Sequence, residues 1–166
     1  MIKNEFKRHS TLTKQTKNKS QHVRFLGEAI KEARIGLSEG GIPIGSVLVI
    51  DGVIVGRGHN RRVQSGDPIL HAEMDCLRNA GRLASDAYAR SVLYTTLSPC
   101  WMCSGAALLY KVPMIVIGEN TTFQGPEQTL FSNGVELVQM ENEECMEMMQ
   151  QFIRQNPILW NEDIGV

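Results

Sequence analysis

From Val23 onward the chain alternates between two spacings of apolar residues, and each spacing predicts its own kind of element. Val23, Leu26, Ile30, Ala33 and Leu37 recur every three or four positions, the period of a helix with one apolar face. A helix is therefore predicted to about Ser38; Glu39-Gly40-Gly41 ends it and Pro43 confirms the stop. Ile44 to Ile50 is a short apolar run, Asp51-Gly52 a two-residue turn signal, and Val53 to Gly58 a second run, which together predict a β-hairpin. The same reading gives helix over 70–81, strand over 92–96, helix over 100–110 and strand over 114–117. A short helix over 128–132, a strand over 135–138 and an amphipathic helix over 142–155 complete it. The order α-β-β-α-β-α-β-α-β-α predicts an α/β fold: a three-layer α/β/α arrangement around a central five-stranded mixed sheet.

Composition changes this picture mainly at the N-terminus. A chain of 166 residues, 42% hydrophobic and 21% charged, suits one domain with an adequate core. Residues 1–20 stand apart: Lys3, Lys7, Arg8, Lys14, Lys17 and Lys19 face only Glu5, a net of +5, with almost no apolar periodicity. They are expected to form a solvated, flexible basic tail ahead of a domain over 21–166. Taking +5 from the overall −1 leaves −6 for residues 21–166. An acidic body is a poor holder of polyanions, so a nucleic-acid partner is not expected. No apolar run is long enough to span a bilayer, and the first residues lack an apolar signal core, so neither membrane insertion nor export is expected. Without export the four cysteines should stay reduced, which points to the cytoplasm.

Two short segments carry chemistry: His71-Ala72-Glu73 and Pro99-Cys100-Trp101-Met102-Cys103. Two thiolates and one imidazole suit Zn2+ rather than magnesium or calcium. Three protein ligands (His71, Cys100 and Cys103) leave one tetrahedral corner open, as in catalytic rather than structural sites. Both cysteines fall in one predicted helical turn, where i and i+3 share a face and the helix N-terminus favours thiolate. Glu73 is the candidate catalytic residue, a carboxylate able to move protons beside the metal. The competing readings are a structural zinc module or a redox C-x-x-C pair. The first lacks a well-placed fourth ligand, since Cys76 shares a helix with His71; the second has no use for the upstream histidine and glutamate. His59 is read as a packed or hydrogen-bonded residue near the site.

With these motifs the chain resembles the cytidine deaminase superfamily, and within it the fungal-type cytosine deaminases that act on the free base. The resemblance covers roughly residues 22–165 and rests also on Gly41-Ile42-Pro43-Ile44-Gly45, Gly56-Arg57-Gly58-His59-Asn60, Leu93 to Cys100, Gly118-Glu119-Asn120, and Trp160 with Glu162-Asp163-Ile164-Gly165. It implies the cytidine deaminase-like fold, one Zn2+ per subunit, a homodimer with helices beside the metal site at the interface, and deamination of a small-molecule nucleobase, cytosine. It also implies substrate contacts. Asn60 and the Ala72 N–H would meet the N1/O2 edge and Glu73 would hold N3. Asp163 would meet the amine, Phe123 and Trp160 would close over the ring, Ser98 would join them, and the C-terminal segment would act as a lid. The sequence departs from the fungal pattern at Ala72, where that pattern has Gly, and at Trp101, where it has Asp. A purine-base deaminase and a tRNA adenosine deaminase are the enzymatic alternatives.

Overall fold

In the computed structural model side chains are described for residues 19–166. The elements run α1 (Ile2–Ser38), β1 (Gly45–Ile50), β2 (Val53–His59), α2 (Arg62–Ser65), α3 (Ala72–Ala80), α4 (Ser85–Tyr88) and β3 (Ser91–Leu97). They continue with α5 (Trp101–Leu109), β4 (Met114–Glu119), α6 (Glu127–Ser132), β5 (Glu136–Gln139), α7 (Glu143–Gln155) and α8 (Pro157–Ile164). The expectation of a flexible tail over residues 1–20 lies, apart from Lys19 and Ser20, outside the described side chains. Among the described residues no helix is long and apolar enough to cross a membrane.

The five strands form one mixed sheet in the order β2-β1-β3-β4-β5. β1 pairs antiparallel with β2 and β3, whereas β3, β4 and β5 are parallel. The hairpin turn has Asp51 at φ 50° and Gly52 at φ 80°, the paired positive angles that a tight two-residue turn requires.

Strand side chains alternate between faces, and the two faces bury two different cores. Leu48, Leu93, Ile115 and Ile117 point to one side, against Cys76 and Leu77 of α3 and Ala107 of α5. Val47, Val49, Tyr94 and Val116 point to the other, against Phe25, Leu26 and Ala29 of α1 and Cys145 of α7. Layers on both faces follow directly from that alternation. Helix and strand approach most closely at glycine: a Cβ on Gly58 would lie 2.3 Å from the backbone nitrogen of Cys76, and one on Gly45 2.0 Å from the carbonyl oxygen of Ala29. These contacts press β1 and β2 onto α1 and α3 and fix where the ends of those elements meet.

Three elements depart from the expected pattern. α2 and α4 are single turns, and α8 was expected only as a C-terminal segment of undefined structure. α8 begins with Pro157 in its first turn, where a missing N–H costs little. It buries Trp160 and Asp163. A third apolar cluster joins it to the rest: Ile42, Ile44, Ala72, Leu97, Met149 and Phe152 around Trp160.

Candidate active site

The site lies where β2, β3 and β4 end and α3 and α5 begin. His71 and Cys100 occupy equivalent positions: each is the extended residue immediately before a nine-residue helix, with φ −67° in both and ψ 163° and 177°. Cys103 follows one turn into α5 and is buried. One donor atom from each of His71, Cys100 and Cys103 lies within 4.8 Å of the other two. The Cys100 sulfur is 3.5 Å from Nδ1 of His71. Two sulfurs and a nitrogen at that mutual spacing fit one zinc ion, and the donor set matches its preference.

The electrostatics of the three donors are coupled. The Cys100 thiol is pulled down to about 4, first by the hydrogen bond from Cys103 and then by His71, against the opposing effect of burial. Its neighbour Cys103 is held well above its ordinary value by that same hydrogen bond and by burial. Burial works against a charged His71, but the Cys100 hydrogen bond and the Asp163 carboxylate outweigh it and raise the imidazole to about 9. A thiolate thus sits between an imidazolium and a thiol, and a cation would replace their two protons.

Glu73, 4% exposed, lies in the first turn of α3 and accepts a hydrogen bond of 3.0 Å from the Thr95 hydroxyl on β3. Burial raises its carboxyl above the usual range, and the nearby Cys100 charge adds to the effect. Once a cation neutralises that charge, burial is the part that persists.

His71, Glu73, Ser98, Cys100, Phe123, Trp160 and Asp163 all line one cavity, with Ile44, Leu97 and Ile164 as further walls. Its free volume is about 20 Å³, room for a water rather than a pyrimidine ring. The Phe123 and Trp160 rings meet edge to face at 5.9 Å across its roof. Asp163 is held by Asn60, whose Nδ2 donates to Oδ1 at 2.9 Å, and the same oxygen is 3.6 Å from Nε2 of His71. Burial lifts the Asp163 carboxyl, with His71 and then Asn60 opposing.

Asn60, Ala72 and Cys103 are not among the lining residues. Asn60 is fully buried behind Asp163, and its Oδ1 accepts the Arg62 N–H at 3.1 Å. Ala72 packs in the cluster around Trp160. Ser98 reaches the cavity, but its hydroxyl turns away and donates to Glu127 at 2.7 Å. His59 is buried and touches no donor of the metal group; its ring nitrogens face Glu32 at 3.4 Å and Glu39 at 3.1 Å. Sequence reasoning missed Thr95, Glu127 and the apolar walls. Thr95 carried one usable signal, a hydroxyl on the strand leading to Pro99-Cys100.

Three comparisons bear on this geometry. A family model, the cytidine and deoxycytidylate deaminase zinc-binding region, matches residues 19–119. The chain is 50% identical over 138 residues to a cytosine deaminase from Candida albicans, covering 82% of this chain and 92% of that one. It is 37% identical to a tRNA-specific adenosine deaminase from Streptococcus pyogenes, covering 81% and 91%. Among solved structures, one from studies of tRNA:A34 deaminases superposes with a TM-score of 0.66 at 27% identity, covering 76% of this chain and 99% of that one.

Proposed function

The chain belongs to the cytidine and deoxycytidylate deaminase zinc-binding family, and on that premise we propose that it converts free cytosine to uracil and ammonia. The observation that carries the reading is the buried carboxylate of Glu73 lining the same cavity as His71 and Cys100. The relation to the Candida enzyme directs it to cytosine.

In this reading His71, Cys100 and Cys103 would hold one Zn2+, which when bound would supply the Lewis acidity that activates water at neutral pH. Glu73 takes one proton from the attacking water to ring N3, then carries a second, from the hydroxyl now on C4, to the departing amine. A C4–O bond forms, the C4–N bond breaks, and the carbonyl of uracil remains. The raised Glu73 carboxyl suits this shuttling, because a group that both takes and gives protons works best with a pKa near the operating pH. Thr95 holds the carboxylate in place. Asp163 accepts from the amine of the base, while Phe123 and Trp160 clasp the ring and exclude water. Asn60 fixes Asp163 and keeps one N–H and one lone pair unused; these and the Ala72 N–H would reach the N1/O2 edge only once the cavity has opened. Ser98 contributes to the wall rather than through its committed hydroxyl. The cavity is too small for a ring as it stands, so α8 and the Phe123 loop move to admit one, which is the action of a lid.

The working unit in this reading is a homodimer in the cytoplasm. Trp101, between the two metal cysteines, and Leu109, at the far end of α5, are 72% and 75% exposed, apolar surface suited to a second copy. All four cysteines are free, in keeping with a reducing compartment.

Ammonia release by the zinc-loaded protein tests the activity across cytosine, cytidine, guanine and adenine. Cytosine leads and cytidine fails, because a ribose on N1 would collide with Asn60 and α8. Cytidine or guanine turning over as well as cytosine overturns the assignment.

A further inference from the structure

The loop from the end of β4 to α6 carries Phe123 into the cavity, and carboxylates pin both its ends. At the β4 end Glu119, 2% exposed, accepts the N–H groups of Thr121 at 2.7 Å and Thr122 at 3.0 Å, and the Thr122 hydroxyl. At the α6 end Glu127 accepts from the Ser98 hydroxyl at 2.7 Å, the Asn120 amide at 3.1 and 3.2 Å, and the Gln124 amide at 3.3 Å. The Ser98 hydroxyl in turn accepts the Gly125 N–H at 3.1 Å. Ser98 stands immediately before Pro99-Cys100, and its own N–H donates to the Glu119 carbonyl at 3.0 Å. Gly125 lies so close to this turn that a Cβ there would be 1.9 Å from the Pro99 carbonyl oxygen. One carboxylate therefore ties the turn that presents the metal donor to the loop that presents the pocket wall.

An acidic residue opening a short helix is commonly only a favourable partner for the helix dipole. Glu127 instead reaches back to residues 98 and 120 and gathers donors from three side chains. Four hydrogen bonds converge on its two oxygens, which suits a carboxylate, a group that only accepts. A glutamine would retain one accepting oxygen and turn N–H groups toward the amides of Asn120 and Gln124.

We propose that Glu127 is a positioning residue for the reaction: acting through Ser98 and Gly125, it fixes the loop so that Phe123 meets Trp160 and grips the substrate ring. Glu127 touches neither the base nor the metal donors. Its contribution is to substrate affinity, through the placement of an aromatic wall. This rests on the reading of the cavity as a cytosine site.

The test uses the full-length, zinc-loaded protein and its Glu127→Ala, Glu127→Gln, Phe123→Ala and Glu127→Ala/Phe123→Ala forms. Each is measured for KM and kcat with cytosine, zinc content, and amide hydrogen exchange over residues 120–126. Glu127→Ala is expected to speed exchange in the loop and raise KM by about tenfold or more, the scale of a misplaced binding wall. Zinc stays at one per chain, and Glu127→Gln falls between wild type and alanine. The decisive outcome is in the Phe123→Ala background, where removing Glu127 raises KM no further. Unchanged loop exchange, faster exchange with unchanged KM, loss of zinc, or an equal KM effect without Phe123 each overturns the proposal. Should the alanine variant fold poorly, the glutamine variant faces the same criteria. A wild-type protein inert toward cytosine would instead sink the activity reading, while hydrogen exchange would still report on the loop.

Discussion

Asn60, immediately after β2, donates a hydrogen bond of 2.9 Å to Asp163 in α8, joining the front of the domain to its last helix. Both groups are buried, so neither finds water in exchange if the other is removed. Asn60→Ala is expected to leave a buried carboxylate without its amide and to free α8. Ammonia release from cytosine should fall about 100-fold, with hydrogen exchange over residues 157–164 accelerated. Exchange in α8 equal to wild type would show that Trp160 packing alone holds the helix.

Substitution of Glu73 should separate chemistry from metal binding. Glu73→Ala should retain one zinc per chain by atomic absorption while losing about 10²–10⁴-fold in kcat, the range typical of a general acid–base group. Thr95→Val removes the hydroxyl that positions the carboxylate and should produce a smaller loss in the same direction. Metal loss in the Glu73 variant would assign the glutamate to the ligand set.

Replacing a donor acts differently. His71→Ala, Cys100→Ala or Cys103→Ala should each lower zinc stoichiometry well below one and lower the melting temperature, since binding energy at such a site is also folding energy. Chelation of wild-type metal should reproduce both effects, and restored Zn2+ should reverse them. A variant that keeps full zinc would remove that residue from the set.

Alkaline pH should weaken the fold through two buried thiols that are not metal donors. Burial pushes Cys145 and Cys76 up to about 12 from an ordinary 9. A group whose folded pKa is raised gives stability that is complete below pH 9 and declines as pH rises toward 12. Each thiol should cost about 1.4 kcal/mol per pH unit across that window. Urea unfolding at successive pH values reads the slope, and Cys145→Ala should make it shallower. A slope unaffected by that substitution would clear Cys145.

How much of this was legible in the sequence depended on whether periodicity or packing decided the element. α3 and α5 follow from their spacing, and the H-x-E and P-C-x-x-C segments carried both the metal donors and the family. α8 did not announce itself. Its eight residues hold no regular apolar stripe, and it is helical because Trp160 and Asp163 are buried against partners distant in sequence. β3 is buried almost throughout, so no alternation of polar and apolar residues could say that Thr95 faced Glu73. Ser98 was attributed to the substrate by family resemblance; its hydroxyl instead serves Glu127, a partner 29 residues away that no local spacing reveals.

The late position of α8 in the chain has a consequence for biosynthesis. A ribosome that has translated as far as Cys103 has already made every metal donor, yet Trp160 and Asp163 are still to come. During that interval the nascent protein could capture zinc while its reaction chamber stood roofless. Removal of α8 alone by C-terminal proteolysis should therefore leave a metal-loaded, catalytically crippled species, rather than an unmetallated one.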